Sequence, residues 1–179
     1  ALFKKCGYAT DFRILNASDY GVLQNRKRII LIGFHGEKAD FYPQIPVVKD
    51  AHKVGELFCD LPSIKAGEGV ITPVKTTHYT GKYLFSARIK EYDEEPVTFH
   101  QARPNTAQDL EIYRIVVDTW NRSKTRVSYT DLPERLRTHN NTKSFLDRFK
   151  VVAGNLPYAQ TVVAHISRDG HYFIHPDIK

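Results

Sequence analysis

Residues 7–34 read GYATDFRILNASDYGVLQNRKRIILIGF, and they decide how the rest of the chain is interpreted. The run Ile29-Ile30-Leu31-Ile32 is apolar, rich in β-branched residues and stopped by Gly33, which predicts a core strand covered on both faces of a sheet. An earlier stretch that contains Arg13-Ile14-Leu15-Asn16 predicts a second strand. We therefore expect two strands joined by an exposed, positively charged turn.

The residues that lead into the second strand offer hydrogen-bond donors. Charged side chains without partners are costly to bury, so these residues should lie at the mouth of the strand. In an alternating strand Gln24, Arg26 and Arg28 fall on one side. Asn25 and Lys27 fall on the other side. Two guanidinium groups and an amide on one side suit phosphate oxygens or the edge of a base. A solvated basic turn is the alternative interpretation.

The order of these residues resembles motif eight of the DNA cytosine-5 methyltransferases. That motif runs roughly GYxV, then LNAxDYGVPQxRxR, then a hydrophobic strand that ends in glycine. The chain has GY, ILNASDYGV, QNRKR and IILIG in the same order, with Leu23 where the family usually has proline. Because proline fixes a backbone angle, its replacement should loosen the turn but leave the donor side chains in place.

The resemblance implies roles for the donors. In the family, the residues that match Gln24, Arg26 and Arg28 border the pocket that receives a cytosine flipped out of duplex DNA. The last arginine helps to hold the base and its developing charge. The implied parent enzyme transfers a methyl group from S-adenosylmethionine to that cytosine, as part of a bacterial restriction-modification system.

The resemblance is incomplete, because the other motifs of the family are missing. The chain has no PCQ with the nucleophilic cysteine, no ENV with the base-holding glutamate and no FxGxG loop for the methyl donor. Neither Cys6 nor Cys59 has the neighbours of that nucleophile. We therefore expect a carboxy-terminal portion of a larger methyltransferase, with no cofactor-binding residues of its own, which does not methylate alone.

Size and composition agree with such a portion. The chain has 179 residues, enough for one domain or for a domain with a fragment of another, and a formal net charge of +6. Residues 97–150 are basic, with ten Lys and Arg against six Asp and Glu. Two distant cysteines, and no apolar run of membrane-spanning length, predict a cytoplasmic protein with reduced thiols. Its expected partners are double-stranded DNA and the remainder of the catalytic domain, and not a membrane.

We predict an α+β fold in three parts. Residues 1–34 would be the end of the catalytic domain, a remnant strand hairpin of its Rossmann-like sheet. Residues 35–62 would be a connector, loop-like around Pro43 and Pro46 and then helical over 51–61, with Asp50 as the cap. Residues 63–179 would be the target-recognition domain.

The clearest predicted helix runs from about 106 to 120. Thr106 and Asp109 have the spacing of a capping pair. HQARPNTAQDLEIY, residues 100–113, also resembles an HxAR then DLxxY arrangement found in the same methyltransferases. The apolar residues that recur at helical spacing, and should form its core face, are Ala107, Leu110, Tyr113, Val117 and Trp120.

Residues 121–150 supply the predicted DNA contacts, with phosphate contact expected for most of the cations. Asn140 or Asn141 could read a base, because an amide pairs with adenine in the major groove. Capping of a helix over 144–149 by Asn141 or Thr142 is the alternative. The basic residues concerned are Arg122, Lys124, Arg126, Arg135, Arg137, Lys143 and Arg148.

The end of the chain predicts a hairpin over 161–175, closed by Asp169-Gly170. LPYAQTVVAHISRDGHYFIHPD, residues 156–177, resembles the end of the family's target-recognition domain. Thr161 matches the threonine of its Pro-x-x-Thr pattern, with one extra residue between Pro157 and Thr161. We therefore assign Thr161 to the DNA-binding residues. We assign no metal to the histidines of the hairpin or to the acidic bend at residues 91–95.

Two other functions remain as alternatives. The first is a stand-alone DNA-binding or protein-interaction module without methyltransferase activity. A reading frame that starts natively near Ala1 would favour this alternative. The second is a metal-dependent nuclease that uses the histidines and the acidic cluster, and it predicts DNA cleavage on addition of magnesium or zinc.

Overall fold

A computed structural model describes residues 2–36, 40–48, 51–76, 81–163 and 172–176. It contains two compact units. Unit 1 comprises Ala1–His52 and Pro157–Thr161, and unit 2 comprises Lys53–Leu156 and Val162–Lys179. Helices and small two-stranded sheets occur together, which confirms the predicted α+β class.

Regular structure is concentrated in two elements, the hairpin of unit 1 and one long helix of unit 2. Single 3-10 turns cover Ala17–Asp19, Val54–Leu57, Tyr129–Asp131 and Glu134–Leu136. The helices and strands of the described residues are α1 (Leu2–Lys5), β1 (Tyr8–Asn16), β2 (Gln24–Asn25), β3 (Lys27–His35), β4 (Gly69–Val70), α2 (Tyr83–Ser86), β5 (His100–Gln101), α3 (Ala107–Ser123), β6 (Phe149–Val151), β7 (Ala159–Gln160) and β8 (Tyr172–Ile174).

The hairpin of unit 1 pairs β1 with β3 in an antiparallel ladder. The register runs without interruption from Tyr8 opposite His35 to Asn16 opposite Lys27. Both strands predicted from the sequence are therefore confirmed. Their pairing brings the basic residues at the start of β3 next to the end of β1.

The prediction that β3 is a buried core strand was wrong. Ile29, Ile30 and Leu31 are 65%, 42% and 49% exposed. Phe12 and Ile14, on the facing strand, are exposed as well. The physical reason is that a strand is buried on both faces only when other elements cover the sheet. The described sheet has two strands and no further strand beside them, so the apolar sequence forms a strand without the cover it was expected to have.

The connection between the strands is a fixed elbow. The Ala17 N–H donates to the Arg26 carbonyl over 3.0 Å, which closes the elbow at its base. β2 pairs in parallel with β7, a partner more than 130 residues later in the chain. Leu23 is 5% exposed, and its carbonyl accepts a 2.9 Å hydrogen bond from Ala159. The residue that replaces the family's proline is thus held by burial and by a hydrogen bond.

Helix α3 is the main element of unit 2, and its start confirms the predicted cap. The Thr106 hydroxyl accepts from the Asp109 N–H over 3.1 Å, and the Asp109 carboxylate accepts from the Thr106 N–H over 3.0 Å. This reciprocal pair satisfies two otherwise unpaired donors of the first turn. The helix ends at Lys124, which has a left-handed φ of 57° and donates its N–H to the Trp120 carbonyl.

The buried face of α3 is rotated from the predicted one. Ile112, Val116 and Val117 are buried, while Leu110, which was expected in the core, is exposed. Tyr113 and Trp120 pack at the edge of the core, and Val117 is the one predicted member that is fully buried. The spacing of the apolar residues allowed both faces, and the face that carries three β-branched aliphatic residues is the one that packs against β6.

The core of unit 2 joins α3 to segments without regular structure. Tyr129 and Leu136 lie on the two 3-10 turns after the helix, Leu132 lies between these turns, and all three are almost fully buried. β6 and β8 form a parallel pair beside them. The core of this unit therefore depends mainly on loop side chains anchored by one helix.

Two expectations for the connector and the chain end are only partly met. The helix predicted over 51–61 is a single 3-10 turn, in which Lys53 N donates to Glu56 Oε1 over 3.1 Å. Asp50, its expected cap, lies outside the described residues. The final hairpin was predicted over 161–175, and its residues 164–171 also lie outside them. Its described end, β8, pairs with β6.

One close backbone approach in unit 2 requires glycine, and a second is tight enough to favour it. At Gly69, where φ is +95°, a Cβ atom would lie 2.2 Å from the His100 carbonyl oxygen of the paired strand β5. At Gly55, a Cβ atom would lie 3.1 Å from the Gly154 carbonyl oxygen, which accepts the Gly55 N–H.

In the described part of the chain, no helix combines the length and apolarity needed to cross a membrane.

Candidate nucleic-acid interface

Unit 1 presents the predicted donors at the junction of the elbow and the hairpin. Arg28 lies opposite Leu15 in the ladder and is exposed, and its Nη1 donates to the Lys27 carbonyl over 2.7 Å. Gln24 and Arg26 are half-buried. The extended backbone is interrupted at Arg26, between β2 and β3. The three donors therefore follow one another on a short segment, with Arg28 the most open.

Hydrogen bonds from several parts of unit 1 fix this segment. The Arg26 N–H donates to Asn16 Oδ1 over 2.9 Å, so the end of β1 supports the start of β3. The Thr161 hydroxyl donates to the Asn25 carbonyl over 2.6 Å. Thr161, predicted as a DNA contact, thus lies beside the elbow with its hydroxyl proton committed to the backbone. A donor surface that is held before a ligand arrives loses little entropy on binding.

In unit 2, the predicted cations at the end of α3 are all exposed. Arg122 Nε donates to the Asp118 carbonyl over 3.3 Å, and Lys124 Nζ donates to the Asn121 carbonyl over 3.2 Å. Arg126 follows them in a segment without regular structure. Contacts to exposed helix-end carbonyls are weak and leave other N–H groups of these side chains available to a phosphate.

Arg135 and Arg137 are engaged by the protein itself. Both terminal nitrogens of Arg135 donate to the Glu111 carboxylate in a bidentate pair. The hydrogen bond from Arg135 lowers the pKa of Glu111 below its usual value. Arg137 donates from Nε to the Leu132 carbonyl over 2.8 Å and from Nη2 to the Thr130 carbonyl over 2.6 Å.

Asn140 and Asn141 of unit 2 differ in their hydrogen bonding. Asn141 Oδ1 accepts from the N–H groups of Lys143 and Ser144, both over 3.1 Å, and Asn141 Nδ2 donates to Ser144 Oγ. Asn141 therefore caps a turn, and no helix follows it over 144–149. Asn140 is exposed beside it, and so is the Lys143 side chain.

Arg148 has a different environment from the other basic residues. It is 5% exposed, and its guanidinium carbon lies 3.8 Å from the centre of the Tyr129 ring. Its Nε donates to the Phe145 carbonyl over 3.0 Å. Tyr129 is itself fixed, because its hydroxyl accepts from the His139 N–H over 2.6 Å. Arg148 was grouped with the open phosphate contacts, but the structure places it in the interior.

A wide groove in unit 2 has Arg148 in its lining. Its volume is about 1330 Å³, and it also borders the first turns of α3 and strand β8. Its charged lining comprises Lys65, Arg103, Arg114, Arg148 and Asp109, and its aromatic lining includes Tyr113, Phe145 and Tyr172. With four cations and one carboxylate, the lining of the groove has a net positive charge. Sequence reasoning missed Arg103 and Arg114 as members of such a site, because they lie eleven residues apart and on either side of a helix start.

Tyr113, which lines this groove, has a pKa raised above its usual value. Burial raises the pKa of Tyr113 to about 12, and the nearby Asp109 carboxylate adds to the rise. The Tyr113 hydroxyl points toward Asn105 Oδ1, at 3.5 Å. Tyr113 is therefore neutral at physiological pH, and the charge of the groove comes from its arginine and lysine side chains.

The described residues place no three histidine, cysteine, aspartate or glutamate side chains together as metal ligands. His175 packs edge-on against the Phe58 ring, with 4.9 Å between the ring centres. His165 and His171 lie outside the described residues.

An exposed arginine beside a fixed elbow and a basic groove are features of proteins that bind polyanions. A sequence profile of the C-5 cytosine-specific DNA methylases matches residues 1–163. The chain belongs to that family.

Named relatives agree with this assignment. The chain is 37% identical to the type II methyltransferase M.Bpa9945I of Bacillus paralicheniformis, over 93% of this chain and 38% of that protein. It is 29% identical to the type II methyltransferase M.BsuRI of Bacillus subtilis, over 66% of this chain and 28% of that protein. The chain thus spans less than two fifths of either relative. No solved structure matches the chain.

Proposed function

We propose that this chain is the target-recognition and base-holding part of a DNA cytosine-5 methyltransferase, and that it acts on a cytosine flipped out of duplex DNA. Unit 1 supplies contacts to the extruded base, and unit 2 grips and reads the duplex. Membership of the C-5 cytosine methylase family supports the substrate class. The proposal extends to the target-recognition assignment of unit 2 and to the roles of individual residues.

The observation that carries the proposal is the exposure of Arg28 beside a hydrogen-bonded elbow. Its guanidinium is exposed at the first rungs of the ladder, next to an elbow in which Asn16 Oδ1 accepts the Arg26 N–H and the Thr161 hydroxyl donates to the Asn25 carbonyl. Donors that are positioned in advance stabilise charge as it develops, because they need not reorganise during the reaction. Arg28 would therefore donate to the extruded base, with Gln24 and the half-buried Arg26 as neighbouring donors.

In this proposal, S-adenosylmethionine supplies the methyl group. The FxGxG loop that the family uses for this donor is missing from the sequence. Donor binding and the thiolate nucleophile would belong to the remainder of the catalytic domain. The role of this chain is to bind DNA, to hold the flipped base and to position it.

The exposed cations of unit 2 would hold the duplex. Arg122, Lys124 and Arg126 retain free donors and can bind phosphates without disturbing the fold. Asn140 and Lys143 are exposed beside the turn capped by Asn141 and remain candidates for base or phosphate contact. Arg135 and Arg137 would first have to release protein acceptors, so we expect smaller contributions from them.

The test is Arg28→Ala in the enzyme that carries this chain. A residue that holds developing charge should affect turnover more than affinity, so we expect kcat to fall by about 10²-fold or more, with DNA affinity within a few-fold of wild type. Arg28→Lys is the matched control, which keeps the charge and loses the planar fork, and it should recover part of the rate. Equal losses in turnover and affinity would make Arg28 a phosphate contact only.

A further inference from the structure

We propose that the groove of unit 2 binds a phosphate of the DNA backbone, with Arg148 as its buried anchor and Arg103 and Arg114 as its exposed contacts. The inference rests on the proposed function. It assigns DNA contacts to a surface that differs from the open cluster at the end of α3.

The first step is the unmet hydrogen-bonding capacity of Arg148. A guanidinium has five N–H donors, and burying it is costly unless it is paired. Among the described residues, the Arg148 side chain has one acceptor, the Phe145 carbonyl, and one aromatic face, that of Tyr129. The two terminal nitrogens thus keep their donors for another partner, and Arg148 borders the groove.

The second step is that the guanidinium is held rigidly. The Tyr129 ring beneath it is 1% exposed and is fixed through its hydroxyl to the His139 backbone. The carbonyl of Arg148 accepts the Tyr172 N–H over 2.8 Å, which fixes its backbone to β8. A planar fork held in this way suits two oxygens of one phosphate, because bidentate geometry is met without further ordering.

The third step is the charge of the surroundings. Arg103, Arg114 and Lys65 add three cations to the lining, and Arg103 and Arg114 are exposed. The one carboxylate in the lining, that of Asp109, already accepts two hydrogen bonds from Thr106 in the helix cap. The electrostatic potential of the groove is therefore positive, which favours an anionic ligand. Because the chain belongs to a DNA methylase family, the anion we assign is a backbone phosphate.

The main test uses the two exposed arginines, because their replacement should not affect folding. DNA affinity of the Arg103→Ala/Arg114→Ala enzyme is measured across a series of salt concentrations. Each phosphate contact contributes about 0.9 to the slope of log affinity against log salt, so the slope should become shallower by roughly 1 to 2. Lys82→Ala removes an exposed cation outside the groove lining and is the matched control, with an unchanged slope expected.

A second variant tests the anchor. Arg148→Lys keeps the charge but loses the fork and the stacked plane. Ethylation-interference mapping should reveal at least one phosphate whose modification weakens the wild-type enzyme and not this variant, a signature that a purely structural role would not produce. Thermal unfolding of both proteins shows whether the variant folds. If it does not, the double variant at the exposed arginines carries the test alone.

The outcomes separate this inference from the proposed function. Wild-type binding with an unchanged slope in the double variant would overturn the inference and leave the proposed function intact. Failure of the wild-type enzyme to bind DNA would overturn both. Inorganic phosphate is the probe for the other source of this anion. If inorganic phosphate binds the groove while the double variant binds DNA with the same affinity and salt dependence as the wild type, the groove is a small-anion site. The inference is then wrong.

Discussion

The buried ion pair between Asp60 and Lys90 gives the sharpest prediction about the stability of unit 2. The two side chains are 4% and 6% exposed, with 2.7 Å between Lys90 Nζ and Asp60 Oδ2. Lys90 Nζ has no hydrogen bond of good geometry within the described structure, so the contact is chiefly electrostatic. Asp60→Ala would leave a buried ammonium without its countercharge.

The cost follows from that burial. Removing one partner of a buried pair destabilises a protein by about 3–5 kcal/mol, out of a total stability of about 5–15 kcal/mol for a typical domain. At about 4 °C per kcal/mol for a unit of this size, the melting temperature should fall by roughly 10–20 °C. Differential scanning calorimetry, together with denaturant unfolding, measures both quantities.

Two controls separate the lost charge pair from lost packing. The Asp60→Leu/Lys90→Met enzyme replaces both charges with apolar groups and should recover most of the stability, because no charge remains buried. Glu111→Ala breaks the exposed pair with Arg135 and should change stability far less, since solvent screens exposed pairs. A loss for Asp60→Ala no larger than that for Glu111→Ala would refute the reasoning.

Three further predictions concern unit 2, each measured by denaturant unfolding. Gly55→Ala should destabilise by about 1–3 kcal/mol, because the new methyl group would lie 3.1 Å from the Gly154 carbonyl oxygen; a neutral effect would contradict this close approach. Thr106→Ala should cost about 1 kcal/mol by removing the helix cap to Asp109, whereas Thr106→Ser should retain most of it. Since burial raises the pKa of Tyr113 to about 12, only the unfolded chain ionises this group between pH 10 and 12, so stability should decrease over that range; Tyr113→Phe should decrease less, and an equal decrease would locate the effect elsewhere.

The elements that sequence predicted well are those set by neighbouring residues. The α3 cap follows from Thr106 and Asp109 three residues apart, and the hairpin strands follow from apolar runs on either side of a polar elbow. The sequence did not determine which face of α3 packs in the core. Helical spacing allowed Leu110 or Ile112 to face inward, and only the packing partner decides between them.

What sequence could not supply depends on distant contacts. The pairing of β2 with β7 brings Thr161 to the elbow, although the two strands are separated by more than 130 residues in sequence. No local sequence pattern predicts this contact. The burial of Arg148 arises from Tyr129 and from the pairing of β6 with β8. The exposure of Ile29 is the converse case, because its sequence is suited to a covered sheet and the described hairpin has no cover.

The central claim is that this chain presents a flipped cytosine to methylation through the elbow that carries Arg28. Bisulfite sequencing of DNA from cells that express the enzyme containing this chain tests it most directly. We expect cytosines in one short sequence context to be methylated in those cells, and this methylation to be nearly lost with Arg28→Ala while the protein remains folded. Wild-type cells without a methylated context, or an Arg28→Ala pattern equal to that of wild type, would contradict the account.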